Sequence, residues 1–160
     1  MLTTGINFIN FKKTINKKLN LQIISFLKKE NNQVISSLSK NYQNNFNKKL
    51  IKKFYASKNF RLIGMGGSIL GSQTIYDFLK SKIKKNFYFI DNLSSKIKEE
   101  KKTITNLIIS KSGNTIETIV NSNVLLKSKD QNIFITENKK NYLHHLAKKL
   151  KAEIVHHNNF

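Results

Sequence analysis

From Lys58 onward, short apolar runs alternate with segments whose apolar residues recur at helical spacing. The predicted strands are residues 60–63, 87–90, 106–109, 132–135 and 152–155. The predicted helices between and before them are residues 68–82, 93–102, 115–127 and 141–150. Most of these strands are apolar on both faces, which is typical of a parallel sheet covered by helices on each side. The sequence therefore predicts an α/β fold, a three-layer αβα domain with a five-stranded parallel sheet.

The first 56 residues differ from this domain in composition and periodicity. They contain a single glycine, and their apolar residues recur at steps of three and four, as in amphipathic helices. The first such series is Ile15, Leu19, Ile23, Ile24 and Leu27, and the second is Leu38, Tyr42, Phe46, Leu50 and Phe54. We therefore predict two N-terminal helices, separated near residues 31–32, in an extension over residues 1–56 that precedes an α/β domain over residues 57–160.

The net charge of the chain, +20 at pH 7, would ordinarily suggest a nucleic-acid partner. Of the 29 basic residues, however, Arg61 is the only arginine, and base readout and bidentate phosphate contacts depend on arginine. The abundance of Lys, Asn and Ile and the absence of Pro match the codons of a gene rich in adenine and thymine. We therefore expect no nucleic-acid partner.

Cysteine is absent from the chain, which excludes disulfides, thiolate metal ligands and a cysteine nucleophile. The neighbouring side chains of His144–His145 and of His156–His157 are expected to point in different directions, so neither pair should chelate a metal. No apolar run approaches the roughly 20 residues of a membrane span, and the first residues lack the features of a signal peptide. We therefore expect a soluble, cytoplasmic protein with no metal and no membrane partner.

A glycine-rich loop, Gly64–Gly71, leaves the first predicted strand and begins the next helix. Glycines let the backbone approach a ligand closely, and a helix N-terminus attracts an anion. Ser68 either caps the helix or donates its hydroxyl to a phosphate oxygen. The sequence leaves three roles open for this loop: it binds the phosphate of a small molecule, it binds a dinucleotide, or its glycines serve only the close packing of helix and strand. A dinucleotide fingerprint would need glycine where Ile69 stands, although Asp91 occupies the place of a ribose-binding acid.

A second loop, Ser110–Thr115, follows the third predicted strand and begins another helix. It carries three hydroxyls, one amide side chain and one lysine within six residues. Hydroxyls and helix-terminal amides complement the oxygens of a phosphate monoester. The alternative is a capping box, in which Asn114 caps the helix and Glu117 reaches back to it. A cap needs one such side chain rather than a cluster, so the sequence favours phosphate binding.

The two loops together resemble those of glucose-6-phosphate isomerases. Residues 63–71 match the G-x-G-G-S-x-x-G loop of that family, and residues 110–118 match its S-K-[ST]-x-x-T-x-E-T loop, in the same order and after the expected strands. The resemblance covers residues 57–160 and implies the sugar-isomerase (SIS) type of αβα fold. It also implies the interconversion of glucose 6-phosphate and fructose 6-phosphate in glycolysis and gluconeogenesis, without a metal or an organic cofactor, by a homodimer.

The resemblance also implies roles for individual residues of both loops. The residues of the first loop that would contact the substrate are Gly67 and Ser68. The residues of the second loop that would hold the phosphate are Ser110, Lys111, Ser112 and Thr115, while Gly113 and Asn114 would shape the loop. Glu117 matches the motif as well, but we expect it to support the start of the helix or the phosphate-contacting residues rather than to act as the catalytic base.

In the resembled family, the residues that catalyse proton transfer lie in the later part of a much longer chain. We therefore expect no catalytic residue in this chain, a missing second SIS domain, and no turnover by the 160 residues alone. We also expect the surface left uncovered to cause self-association. Two alternatives remain: a stand-alone SIS module that binds or senses a phosphosugar without catalysis, and a dinucleotide-binding domain.

Overall fold

The computed structural model describes residues 16–29, 43, 46–93 and 103–157. The chain divides into two compact units, one comprising residues 1–43 with Phe160 and the other residues 44–159. The described part of the first unit contains helix α1, Lys17–Lys29, whose residues are all exposed. Its apolar side chains include Leu19, Ile23 and Leu27, so the first predicted helix is confirmed.

The second unit contains helix α2, Lys48–Lys53, followed by alternating strands and helices. The strands are β1, Asn59–Gly64; β2, Asn86–Ile90; β3, Thr105–Ile109; β4, Gln131–Glu137; and β5, Glu153–His157. The helices between them are α3, Gly67–Leu79; α4, Ile116–Leu125; and α5, Tyr142–Lys149. All five predicted strands and the three helices at these positions are therefore confirmed.

Two other predicted helices are not confirmed: the second N-terminal helix and the helix over residues 93–102. The periodic series that ends at Phe54 predicts a helix through Phe46, but Asn47 is extended and accepts a hydrogen bond from the Lys49 N–H at 2.8 Å. Asn47 is thereby the N-cap of α2, so this helix begins after Asn47 and does not include Phe46, because a capping residue has non-helical dihedrals. Leu38 and Tyr42, the first residues of that series, lie outside the described residues. The predicted helix over residues 93–102 lies outside the described residues except for Leu93, which is not helical. No described helix is long and apolar enough to cross a membrane.

The five strands form one parallel sheet in the order β2-β1-β3-β4-β5. β1 and β3 are neighbours, and Gly64 at the end of β1 lies opposite Ile109 at the end of β3. α3 leads from β1 to one edge of the sheet, whereas α4 leads from β3 toward the other edge. The strand order therefore reverses between β1 and β3, which is where open α/β sheets bind their ligands, at the carboxyl ends of the strands.

Helices pack on both faces of the sheet, so the three-layer αβα architecture is confirmed. On one face, Ile69 of α3 is buried with aromatic and aliphatic residues of β1, β2 and β3. On the other face, α4 and α5 enclose the larger core, whose buried members are Ile63, Ile108, Leu125, Phe134, Leu143 and Ala147. Each large apolar side chain that is fully buried contributes about 1.5–3 kcal/mol to folding.

A row of polar side chains crosses the sheet beneath α4. Arg61, Asn106 and Asn132 are register partners on β1, β3 and β4, and all three are buried. The Arg61 Nε donates to the Asn106 Oδ1 at 2.8 Å, and its Nη2 donates to the carbonyl of Leu125 at 3.0 Å. The guanidinium therefore satisfies a carbonyl at the C-terminus of α4, where a positive charge also complements the helix dipole.

Candidate functional site

The candidate site lies where the first and second loops leave two neighbouring strands. The first loop follows β1 and the second follows β3, at the same edge of the sheet. A Cβ on Gly64 would lie 3.0 Å from the carbonyl oxygen of Ile109, so glycine lets the end of β1 lie tightly against β3. The two loops that the sequence predicts to act together are therefore brought to adjacent positions.

The first loop begins α3 without a side-chain cap. Gly66 is the N-cap residue and has φ +54°, a conformation that side chains rarely adopt. Gly67 and Ser68 are the first two residues of the helix; Gly67 is exposed and Ser68 is half-buried. Gly66 has no side chain with which to cap α3. The Ser68 N–H donates to the Met65 carbonyl at 3.2 Å, and the Ile69 N–H donates to the Gly66 carbonyl at 3.1 Å. These bonds leave the Gly67 N–H as the amide of the first turn that is available to a ligand.

The second loop is closed by the hydroxyl of Ser110, which is 2% exposed. The Ser110 Oγ accepts a hydrogen bond from the Gly113 N–H at 3.1 Å and shares another with the Thr115 Oγ1 at 3.1 Å. Ser112 is exposed, and its Oγ accepts from the Asn114 N–H at 3.3 Å. Ser110 therefore sets the shape of the loop from inside, while Ser112 and the half-buried Thr115 lie nearer the solvent side.

The back of the second loop is bonded to the N-terminus of α5. The Tyr142 N–H donates to the Asn114 Oδ1 at 3.1 Å, and the Leu143 N–H donates to the Gly113 carbonyl at 3.2 Å. These amides belong to the first turn of α5 and have no partners within their own helix. The loop and the helix start thus satisfy each other's backbone groups.

Asn141 completes this contact as the N-cap of α5. Its Oδ1 accepts from the His144 N–H at 2.8 Å, and its Nδ2 donates to the Thr136 Oγ1 at 3.1 Å. Gly113 has φ +68°, and a Cβ at this position would overlap the Asn141 side chain. Glycine at position 113 is therefore required both by its backbone conformation and by the approach of Asn141.

Lys111 is held by the end of β4. Its carbonyl accepts from the Glu137 N–H at 3.0 Å and from the Thr136 Oγ1 at 3.3 Å. Its ammonium is exposed and lies 4.0 Å from the Glu137 Oε1, while Lys139 lies 2.9 Å from the other oxygen. The hydrogen bond from Lys139 lowers the pKa of Glu137 below its usual 4.5, and the positive charges of Lys139, Lys111 and His157 act in the same direction against the effect of burial.

The N-terminus of α4 has no side-chain cap, and the capping-box alternative is wrong. Thr115 is the N-cap residue and makes no capping hydrogen bond, because its hydroxyl is directed to Ser110. Asn114 bonds to α5 rather than to α4. Glu117 lies in the first turn of α4, where its negative charge complements the helix dipole. The first amides of α4 therefore remain available to an anion at the second loop.

The four histidines lie on α5 and β5 rather than on the two loops. The rings of His144 and His156 are 6.1 Å apart between centroids. Burial lowers the pKa of His144, and the nearby charges of Lys148, His156 and His145 lower it further. Within residues 16–29, 43, 46–93 and 103–157, no group of three or more His, Cys, Asp or Glu residues is arranged to hold a metal ion.

The residues that support the second loop from behind, namely Thr136, Glu137 and Asn141, are not among those predicted from sequence. Asn141 begins a predicted helix, and that position was the available signal for a capping role. Its link to Lys111 through Thr136 depends on how β3 and β4 pair, which local periodicity does not specify.

Parts of several isomerase sequences match this chain. It is 37% identical over 114 residues to a glucose-6-phosphate isomerase from Methanocaldococcus jannaschii, a match covering 64% of this chain and 26% of that protein. It is 40% identical over 93 residues to one from Borrelia garinii, covering 51% of this chain and 17% of that protein. It is 46% identical over 70 residues to one from Desulfitobacterium hafniense, covering 38% of this chain and 13% of that protein.

The chain therefore resembles glucose-6-phosphate isomerases over part of its length, and it spans about a quarter or less of the relatives that it matches. No protein-family model matches the sequence. The crystal structure of a hypothetical protein from Thermus thermophilus has a similar α/β fold, with a TM-score of 0.58 at 21% identity. That likeness covers 68% of this chain and 30% of the other, and it concerns the fold alone.

Proposed function

We propose that the two loops bind the phosphate of a sugar phosphate, and that the chain supplies the phosphate-binding half of a glucose-6-phosphate isomerase site. The observation that carries this proposal is the uncapped N-terminus of α4. Asn114 lies within two residues of that helix and has the right side chain for a cap, yet it is bonded to the Tyr142 N–H of α5. The first amides of α4 are thus left for an anion. The Ser112 hydroxyl accepts a bond from the Asn114 N–H and so keeps its own proton to donate to that anion.

In this proposal each matched residue has a defined part. The residues of the first loop that contact the substrate are Gly67 and Ser68. The residues that hold the phosphate are Ser110, Lys111, Ser112 and Thr115, with the buried Ser110 acting through its bonds to Gly113 and Thr115. Gly113 and Asn114 shape the loop around the phosphate. Lys111 adds a positive charge from an exposed position, and Glu117 supports the start of α4 without acting as the catalytic base.

The partial matches to glucose-6-phosphate isomerases support isomerisation of glucose 6-phosphate and fructose 6-phosphate, in glycolysis and gluconeogenesis, as the reaction this site serves. Moving a proton between C1 and C2 needs a carboxylate base, a group that stabilises the enediolate, and a group that opens the sugar ring. We propose that these groups lie outside this chain, in a second SIS domain and a partner copy of a cytoplasmic homodimer. The chain alone would then bind the phosphosugar weakly and not turn it over.

A second candidate is a stand-alone phosphosugar-binding module that uses the same loops without catalysis. Both candidates agree with the state of Glu137, the carboxylate beside Lys111. Lys139 holds this carboxylate at 2.9 Å, and an engaged, ionised carboxylate with a lowered pKa is a poor base for carbon acids.

Calorimetric titration of the purified chain tests the binding proposal. We expect fructose 6-phosphate to bind, inorganic phosphate to compete with it, and fructose without phosphate to give no heat. The variant Ser110→Ala should lose most of this binding, because it removes the hydroxyl that joins Gly113 to Thr115. The control variant is Ser128→Ala, which changes an exposed turn beyond α4 and should bind as the parent chain does.

The outcomes separate the candidates. Binding of NAD but not of fructose 6-phosphate would favour a dinucleotide-binding domain and overturn the proposal. An isomerase assay on the longest protein encoded by the same reading frame then decides between the two phosphosugar hypotheses. Turnover supports the enzyme, whereas tight phosphosugar binding without turnover supports the module.

A further inference from the structure

A continuous set of hydrogen bonds links the start of α5 to the peptide of Lys111. The Asn141 Oδ1 accepts a hydrogen bond from the His144 N–H, and the Asn141 Nδ2 donates one to the Thr136 hydroxyl. The Thr136 hydroxyl in turn donates to the Lys111 carbonyl at 3.3 Å. Asn141 is 6% exposed and Thr136 is fully buried, so neither side chain contacts a solvent-borne ligand directly.

This arrangement fixes which way the peptide groups of the second loop face. The Lys111 carbonyl is held by the Thr136 hydroxyl and the Glu137 N–H, and the Gly113 carbonyl is held by the Leu143 N–H. In a trans peptide the N–H points opposite to the C=O. The N–H groups of Ser112 and Asn114 are therefore turned away from β4 and α5, toward the other side of the loop. There the Asn114 N–H donates to the Ser112 Oγ at 3.3 Å, and the Ser112 N–H is left for a ligand.

The orientation matters for an anion, because amide N–H groups attract a phosphate whereas carbonyl oxygens repel it. A peptide flip at Lys111 would replace the Ser112 N–H with a carbonyl on the ligand side of the loop. A flip at Gly113 would break the bond from the Asn114 N–H to the Ser112 hydroxyl and turn a carbonyl toward that side. The bonds from Thr136 and α5 oppose both flips. The overlap that any side chain at position 113 would make with Asn141 shows how closely the N-cap supports the loop.

We propose that Asn141 is a positioning residue for the phosphate loop, acting through Thr136 on the Lys111 peptide and by direct contact on Gly113. The role rests on the proposed function, since it concerns how the second loop presents its donors to a phosphate. It assigns to Asn141 a task beyond capping α5, because only its Oδ1 is needed for the cap.

Two substitutions separate positioning from capping. Asn141→Ser keeps a side-chain oxygen that caps α5 but removes the amide that donates to Thr136. Thr136→Val preserves the shape of the buried side chain and removes the hydroxyl between Asn141 and Lys111. Thr136→Ser is the conservative variant that retains the hydroxyl. Asn47→Ser is the matched control, because it exchanges the same residue types at the exposed cap of α2.

The measurements are the affinity of the full chain for fructose 6-phosphate, by calorimetry at a temperature where every variant is folded, and the hydrogen exchange of the loop amides by NMR. We expect Asn141→Ser and Thr136→Val each to weaken binding about tenfold, the effect of one lost buried hydrogen bond. The Gly113 amide should exchange faster in both. Thr136→Ser should bind with the affinity of the parent chain. Asn47→Ser should change neither the affinity nor the exchange of the loop amides.

Unchanged affinity and exchange in Asn141→Ser and Thr136→Val, with normal binding by the parent chain, would overturn the positioning role alone. A fall in melting temperature without a change in affinity would mean a purely structural role and would also overturn it. Failure of the parent chain to bind any phosphosugar would instead overturn the proposed function, and this inference with it. If Thr136→Val does not fold, Asn141→Ser decides the question alone, because it keeps the cap of α5 and removes only the amide that donates to Thr136.

Discussion

Gly113 and Asn141 lie so close together that a Cβ on residue 113 would overlap the amide group of Asn141. One of these residues forms the second loop, and the other caps α5. The contact is reinforced by the bond from the Leu143 N–H to the Gly113 carbonyl at 3.2 Å. The loop and the start of α5 therefore form one structural unit, and a substitution at either residue should displace the other.

The first prediction contrasts two glycine substitutions. Gly113→Ala should lower the free energy of unfolding by about 2–4 kcal/mol, because alanine is strained at φ +68° and displaces Asn141. Gly71→Ala lies within α3 with open space around it and should raise stability by about 0.5–1 kcal/mol. Urea denaturation of both variants measures the two changes, and the same sign in both would contradict this account.

The second prediction concerns the buried arginine. Arg61→Met should destabilise the chain by about 2–4 kcal/mol, because Asn106 and the Leu125 carbonyl lose buried hydrogen-bond partners. The matched control is Lys58→Met, at an exposed position just before the same strand. Thermal unfolding should show a large fall in melting temperature for Arg61→Met and little change for the control. Equal effects would mean that the polar row does not stabilise α4.

The third prediction is a pH dependence centred on Glu137. Its pKa is lowered in the folded chain, chiefly by the hydrogen bond from Lys139, so its ionised form stabilises the fold. This contribution is present above the unfolded pKa and is lost as the pH falls through the lowered folded pKa. Glu137→Gln should therefore be less stable than the parent chain at neutral pH, and the difference should shrink below pH 4.5.

Denaturation curves at several pH values give this difference directly. Because the side chains of Lys111 and Lys139 are exposed, added salt should reduce it as well. The variant Lys139→Met removes the main partner of Glu137. Its free energy of unfolding should fall less between neutral and acid pH than that of the parent chain. A difference between parent and Glu137→Gln that grows as the pH falls would contradict the assignment.

The strands, most of the helices and the positions of both loops could be predicted from sequence, because each depends on local periodicity and on glycines or hydroxyls next to one another. The partner of Asn114 could not. The local pattern allowed it to cap α4, whereas the structure bonds it to Tyr142, far along the chain. Choosing between these partners requires the distance between α4 and α5, which is set by sheet pairing and core packing rather than by neighbouring residues.

Arg61 shows the same limit in the core. The sequence placed it within an apolar strand, and the strand prediction was confirmed. Its burial, however, depends on Asn106 and Asn132 occupying the matching positions of β3 and β4. Such a row becomes recognisable only when the register of three strands is known, because the residues are far apart along the chain.

The central claim is that the second loop and the N-terminus of α4 form a phosphate site, and the most direct test is a crystal structure of the chain with fructose 6-phosphate. The account predicts the phosphate within hydrogen-bond distance of the Ser112 and Thr115 hydroxyls and of the first amides of α4. Loops that stay empty, with the ligand bound elsewhere or not at all at saturating concentration, would contradict it.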